Sequence, residues 1–560
     1  MSDELHLDTP RAGVPSVPAR PSASLVVVRD GADGIETLLL RRAERGDQNS
    51  GAWVFPGGLV DAGDRAAHDR CDGLDDAEAS RRLGLPAHGL DYAIAAVREC
   101  FEESGLLFAT RAQGGSPDTG APEFAAWRPR LHRGGQGIGA MCAALDLRLD
   151  LAPLVYLSHW VTPLARPKRF DTRFFVARAP AGQAVRPDGD EVTASLWVRS
   201  ADALQRSAGL KLMTPTHKTL EIIGTHPNVD ALLAWAAAPR SVPLVMPRVG
   251  TGRDGVRPVL PDEPAFAELG RIDPAGHGHA SYDIRTDVPV RLSERVIRVT
   301  ADNGSVMTGP GTNTYLLRGA GNRWTVIDPG PEDVAHTEAI VAAAPGPIER
   351  ILVTHTHVDH SPGCRALKAR TGAPVAGRIA AFPDRQDTDF APDQHLAGGE
   401  RLALASDCTL RVVHTPGHAS NHLCFLLEQE RLLFTGDHLM QLSTVVINPP
   451  DGDMSAYLAS LRALLDEDLE WLAPGHGFLM AQPQRAIEAV ITHRLKREAR
   501  VVEALQAAGA AASLDALLAQ VYADVPQRMH PVAQRSLLAH LLKLRDDGRA
   551  VEDAGRWALR

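Results

Sequence analysis

Aromatic residues make up only 5% of this 560-residue chain, and it has six cysteines in all. The cysteines, at positions 71, 100, 142, 364, 408 and 424, are scattered without a paired spacing. That argues against a disulfide framework and suits a reducing cytoplasm. No run of eighteen apolar residues occurs, so no segment reads as a membrane-spanning helix. The first two dozen residues are acidic and then rich in proline and serine, without the basic-then-apolar order of an export signal. Positive charge is in deficit, with a net of −10, which excludes a chain-wide surface for nucleic acid or anionic membrane but leaves a local basic face open. What is present is ordinary. At 44% hydrophobic and 23% charged, the chain is neither disordered nor fibrous. Its length calls for three or four domains, so the expectation is a cytoplasmic multidomain protein.

Residues 1–22 read as a flexible tail. From Ala23 the runs ASLVVVRD and ETLLLRRA flank a Gly/Asp turn, as strands do, and Asp91–Leu107 is helical in pattern. Seven prolines between Pro239 and Pro274 interrupt any regular element, so 239–289 reads as a linker. A second strand-rich region follows to about residue 490. After Gln482 the pattern turns helical to the C-terminus, and the 491–560 tail closes in a hairpin whose turn is expected at Asp546-Asp547-Gly548.

In the first half, Glu99, Glu102 and Glu103 fall at i, i+3 and i+4 of one helix. Like charges so placed repel, unless a divalent cation such as Mg²⁺ takes the carboxylate oxygens. The run Arg98-Glu99-Cys100-Phe101-Glu102-Glu103-Ser104-Gly105-Leu106, with Phe55-Pro56-Gly57-Gly58 upstream, resembles the Nudix hydrolase box. That resemblance, over about 23–238, implies an α/β/α sandwich, Mg²⁺ or Mn²⁺ on Glu99, Glu102 and Glu103, and cleavage of a nucleoside-diphosphate linkage. It makes Glu103 the catalytic carboxylate and Arg98, Gly57 and Gly58 candidate substrate contacts, with Arg98 able to orient a carboxylate or a phosphate and the glycines allowing a tight approach of loop to strand. The box departs from its pattern twice. Asp64 replaces its first glutamate, and residues 65–97 separate Asp64 from Arg98, 33 positions where the family has seven. The 26-residue insertion resembles a subgroup acting on coenzyme A derivatives. Glu191 is a further candidate carboxylate.

The second half carries Thr354-His355-Thr356-His357-Val358-Asp359-His360 directly after the apolar strand ERILV. With 22 histidines in 560 residues, three histidines and an aspartate in six positions point to a metal site. His418, Asp437 and His476 recur at similar strand-to-loop junctions. The set H-x-H-x-D-H, PGH, GD, GH resembles the metallo-β-lactamase superfamily across about 290–490. The resemblance implies an αββα sandwich with two Zn²⁺, Mn²⁺ or Fe²⁺ ions. His355, His357 and His418 would hold one ion, Asp359, His360 and His476 the other, and Asp437 would bridge. Two such ions generate a hydroxide near neutral pH, and Asp359 would assist the leaving group. His422 is a candidate for orienting a ligand; His414 and His438 read as structural. The flanking sequence resembles the branch containing β-lactamase-like protein 2 and glyoxalase II, with a winged helix over 491–560.

The expected whole is an α/β and α+β multidomain hydrolase, acting on a thioester, ester or phosphodiester in one half and on a nucleotide or coenzyme A diphosphate in the other. The competing reading is a metal-dependent single-strand ribonuclease carrying a Nudix module that senses nucleotides. Eleven Lys or Arg against eight Asp or Glu after His493 make RNA a weakly supported partner. Self-association stays open, and no membrane is expected.

Overall fold

The computed structural model describes residues 17–44, 50–132, 136–441 and 444–560. Most of the tail expected over 1–22 lies outside these residues, and the first strand already begins at Arg20. The chain forms two compact units, one of 1–249 with 275–277 and the other of 250–274 with 278–560. Among the described residues no helix is long and apolar enough to cross a membrane.

The first unit is built on a mixed sheet in the order Val192–Arg199, Gly34–Arg42, Arg20–Gly31, Phe170–Arg178, Val155–Val161, Leu244–Val245. Arg20–Gly31 is buried because it lies centrally, antiparallel to Gly34–Arg42 and parallel to Phe170–Arg178. The Gly89–Ser104 helix packs on one face of this sheet and Val229–Ala237 also packs against its strands. Gly105, at φ +78, ends the glutamate helix in the left-handed conformation. The insertion is ordered: Asp76–Leu83 is a helix packed on Gly89–Ser104, and Cys71–Asp72 joins Leu147–Asp150 and Ala109–Arg111 in a small sheet.

In the second unit a seven-stranded sheet (Val290–Arg291 through Gln394–His395) faces a six-stranded one (Arg401–Ala405 through Met480–Ala481), each in chain order. Alternation along the strands divides their side chains. Tyr315, Leu317, Ile327 and Leu352 meet Leu410, Phe425 and Phe434 between the sheets. Leu316, Val326 and Ile351 face Ile340 and Leu367 of two outer helices. Leu426, Leu433 and Leu472 face Tyr457, Leu458 and Leu461 on the other side. This is the αββα sandwich. The 26-residue Pro483–Ala508 helix leads from this sandwich to a smaller core of Leu517, Leu537, Leu541 and Trp557. Two more helices and a three-stranded sheet complete the winged helix.

Two expectations are corrected. The 239–289 stretch is partly regular, with strands Arg248–Gly252 and Gly255–Val259 and a helix Phe266–Ile272. The prolines mostly punctuate these elements, as Pro247, Pro264 and Pro274 do, and the one inside a strand, Pro258, lies in an isolated two-stranded ribbon where a missing donor is tolerated. Glu268 of that helix makes a bidentate pair with Arg298 at 2.6 and 2.9 Å, both side chains only 2% exposed. Arg298→Leu should cost about 3–5 kcal/mol by stranding a buried carboxylate, read as a lower calorimetric unfolding transition; Arg298→Leu with Glu268→Leu should recover most of it. The terminal hairpin turns at Ala554-Gly555, with φ +48 and +75, in the sense that suits a two-residue β-turn. Asp546-Asp547-Gly548 instead stops the His530–Asp546 helix, with Gly548 at φ +73.

Candidate functional site

The strand Ile348–Leu352 runs out at the mouth of the sandwich, and the histidine-rich loop follows at once. Short junctions after other strands bring His418, Asp437 and His476 to the same place. Two groups of side chains result, each with one donor atom per residue within 4.8 Å of the others: His355, His357 and His418, and Asp359, His360, Asp437 and His476. In the first, His357 Nδ1 lies 2.9 Å from His355 Nε2 and 3.0 Å from His418 Nε2. In the second, His476 Nε2 lies 3.4 Å from Asp359 and 3.2 Å from Asp437 Oδ1, and His360 Nε2 lies 3.5 and 3.4 Å from the same two carboxylates. Asp437 touches both groups, because its Oδ2 reaches 3.8 Å from His418 Nε2.

Three of the imidazoles are aimed by their other nitrogen. His360 Nδ1 is 2.9 Å from Asp328, His418 Nδ1 is 2.7 Å from the Val446 carbonyl, and His476 Nδ1 is 3.1 Å from that of Gly311. Asp328 also accepts from the Thr354 backbone and hydroxyl, each at 2.7 Å, so one buried carboxylate fixes both the loop and the ring. Burial, reinforced by the neighbouring rings of His360 and His357, holds His355 well below the ordinary histidine range, so it is a neutral donor. Burial also lowers His418. His360 goes the other way: against the cost of burial, Asp359, Asp437 and Asp328 hold it well above that range.

The donor set fits a pair of first-row divalent ions. Three nitrogens converge on one point, and nitrogens and carboxylate oxygens on another. His360 Nε2 and Asp437 Oδ1 are buried and meet their neighbours at 3.2–3.5 Å without forming an aligned hydrogen bond, a costly state that a shared cation would relieve. Since outer carboxylates tune ligand basicity, Asp328→Asn should weaken metal affinity about 10- to 100-fold, measured by competition with a chelator.

Around this centre, His422 lies with its ring 5.0 Å from that of His355 and its Nδ1 2.9 Å from the Thr415 hydroxyl. His438 is buried edge-on to Tyr457, and His414 lies 3.3 Å from the Ser420 carbonyl. Sequence reasoning missed Asp328; its signal is an acid directly after the apolar strand Trp324–Ile327, followed by Pro-Gly. It also missed Gln386, which accepts from Thr356 at 2.7 Å and donates to Asp451 at 3.0 Å, bracing the loop from behind.

In the first unit Glu99, Glu102 and Glu103 share the helix as expected, but they do not close to the 4.8 Å spacing, which among the described residues only the two groups above reach. Glu103 is held elsewhere, and Arg98 ties the other two. Its guanidinium donates to Asp64 (2.7 and 3.1 Å), Glu99 (2.8 Å), Glu102 (3.1 Å) and the Leu59 carbonyl (2.7 Å). All five donors are engaged, so Arg98 orients carboxylates here, one of the two roles its sequence context allowed. Asp64, in place of the glutamate, is wholly buried in that pair and also caps the short Ala62–Arg65 helix. Gly57 donates to Glu103 at 3.0 Å, and a Cβ on Gly58 would lie 2.4 Å from the Glu99 carboxylate. Both glycines make room for protein groups, the tight approach of loop to strand that the sequence suggested. Burial, then the charge of Glu99, pushes Glu102 up to about 7 and Glu103 well above the carboxylate range. Glu191 adds to the negative field on Glu99 and Glu103, and His132 sits 3.9 Å from both Glu191 and Glu102. This buried excess of oxygen donors fits a hard divalent cation.

Fold and sites together define a metal-dependent hydrolase with a second, Nudix-type unit. Residues 307–476 match the metallo-beta-lactamase superfamily, 75–215 the NUDT19 Nudix domain and 513–557 the beta-lactamase associated winged helix domain. A Beta-lactamase-like protein 2 homolog of Drosophila melanogaster is 32% identical over 270 residues, 46% of this chain and 90% of its own. The chain therefore belongs to the metallo-beta-lactamase superfamily. An Atrochrysone carboxyl ACP thioesterase of Aspergillus chevalieri is 30% identical over 46% of this chain and 83% of its own. The crystal structure of a Nudix hydrolase from Alicyclobacillus acidocaldarius is 30% identical, spanning 40% of this chain and 98% of its own at a TM-score of 0.34.

Proposed function

We propose that the second unit is a thioesterase working with two transition-metal ions, zinc in the first instance. His355, His357 and His418 hold one, Asp359, His360 and His476 the other, and Asp437 spans both. The two oxygens of Asp437, one toward each group, carry this reading. The ions would supply a Lewis acid for a carbonyl and a low-pKa water. The chain's part is positional. Asp328 and the carbonyls of Val446 and Gly311 fix the rings, and Asp359, beside His476, takes the proton released by the attacking water and passes it to the departing sulfur. The thioesterase name of the Aspergillus relative supports this substrate class.

The first unit, over about 23–238, is read as a Nudix pyrophosphatase for nucleotide or coenzyme A diphosphates, with Mg²⁺ or Mn²⁺ on Glu99, Glu102 and Glu103. The boundaries 290–490 and 491–560 are retained for the catalytic sandwich and winged helix. All six cysteines are free, which fits a cytoplasmic setting. The purified full chain should contain close to two transition metals and hydrolyse a simple acyl thioester, lose that activity on chelation and regain it with zinc. A metal-filled chain that leaves thioesters intact overturns the reading.

A further inference from the structure

A buried arginine ordinarily faces a carboxylate. On the Pro483–Ala508 helix three arginines recur at intervals of three, and Arg494 breaks that rule. Arg497 and Arg500 both donate to Asp524. Arg494 is only 2% exposed, yet among the described residues no carboxylate pairs with it, and its Nε is buried without a hydrogen-bond partner. Its guanidinium instead donates to the Val445 carbonyl and stands 5.5 Å from the centre of the Tyr457 ring. An apolar side chain of like length would fill the same space without burying an unpaired charge, so packing alone does not explain an arginine here.

Both of its contacts lead to metal ligands. Val445 and Ile447 are seated in the apolar layer with Tyr457, Leu458 and Leu461, and the carbonyl of Val446 between them lies 2.7 Å from His418 Nδ1. A peptide unit is planar, so holding the Val445 carbonyl fixes the plane that joins it to Val446. Only the two soft dihedrals of Val446 then remain to place its own carbonyl on the imidazole. Tyr457, from the Met454–Leu465 helix, donates its hydroxyl at 2.9 Å to the carbonyl of His438, the residue after Asp437. The guanidinium thus bears on the chain close to Asp437 through Tyr457, and close to the group that aims His418 directly.

We propose that Arg494 is a positioning residue for the metal centre. By holding the Val445 carbonyl it keeps the His418 ring in the direction that serves the ion shared with His355 and His357, and it thereby sets the affinity for that ion. The residue lies in the 491–560 stretch, so the sandwich borrows it from the helix that carries the winged helix. The proposal rests on the two-ion reading of the site and is independent of the substrate.

Cobalt(II) is the probe, added to the full chain after chelation, with excess Mg²⁺ to fill the carboxylates of the first unit. The unaltered protein should take up two ions and show their visible absorption bands. In Arg494→Met one of the two binding steps should weaken about tenfold and the bands should shift, while the other step stays. Arg494→Lys keeps a charged donor and should fall between. Arg497→Met is the control: Arg497 serves the Val521 carbonyl and Asp524, so its loss should lower the unfolding temperature and leave both binding steps unmoved. A folded Arg494→Met chain with unaltered cobalt affinities and spectrum overturns the role. So does an equal loss of affinity in Arg497→Met, which would make Arg494 a general support of the helix. If methionine prevents folding, the lysine variant decides, and unaltered affinity and spectrum in it overturn the role. An unaltered protein that binds fewer than two ions overturns the two-ion reading, whereas the expected affinities without thioester turnover overturn the thioesterase reading alone.

Discussion

Asp437→Ala is expected to bring the metal content of the second unit from near two ions to one or fewer and to cut its turnover by about three orders of magnitude. Among the described residues no other carboxylate spans the two groups: Oδ1 lies 3.2 Å from His476 and 3.4 Å from His360, while Oδ2 lies 3.8 Å from His418. Without it the first group retains three neutral imidazoles and can hold one ion. The second keeps Asp359, His360 and His476 but loses the carboxylate that reaches the first group. Metal analysis by mass spectrometry alongside kinetics separates the outcomes. Two retained ions with normal turnover would show that Asp437 does not bridge.

Glu103→Gln should abolish Mg²⁺-dependent diphosphate cleavage by the first unit, by about a thousandfold, while leaving its unfolding transition nearly unmoved. The amide can still accept from the Gly57 backbone, so the loop-to-helix contact of 3.0 Å survives while the charge does not. Arg98→Met should behave oppositely. It leaves Asp64, Glu99 and Glu102 buried with no guanidinium, and is expected to destabilise the unit by about 3–5 kcal/mol. Calorimetry and a phosphate-release assay on both variants distinguish a metal ligand from a structural clamp. If Glu103→Gln turns over normally, the metal assignment in this unit is wrong.

The metal centre was legible because its residues are chemically rare and stand beside apolar strands, so sequence alone set His355, His357 and His418 apart from packing residues. Asp328 was not, since a lone aspartate before Pro-Gly looks like any turn until its two oxygens are seen on Thr354 and His360. Arg98 was legible only as a group that orients a carboxylate or a phosphate, for a related reason. Spacing shows which face of a helix it shares, while only the tertiary fold brings Asp64 and the Leu59 carbonyl to its donors. The Pro-rich stretch misled through position: proline forbids interiors but tolerates ends, and a seven-residue helix fits between Pro264 and Pro274. At the C-terminus two turn-forming tripeptides compete, Asp546-Asp547-Gly548 and Asp553-Ala554-Gly555. Only the register of the final strands decides between them.

The Pro483–Ala508 helix has a consequence for anyone who would cut this protein into parts. Ile487 is anchored in the sandwich, while Val501 and Leu505 are anchored in the winged helix. Arg494, midway and 2% exposed, lies 5.5 Å from the Tyr457 ring. A shaft embedded at both ends offers no seam, so severing it near residue 490 would strip a buttress from the catalytic half, and the winged module is better handled as a permanent fixture than as a detachable accessory.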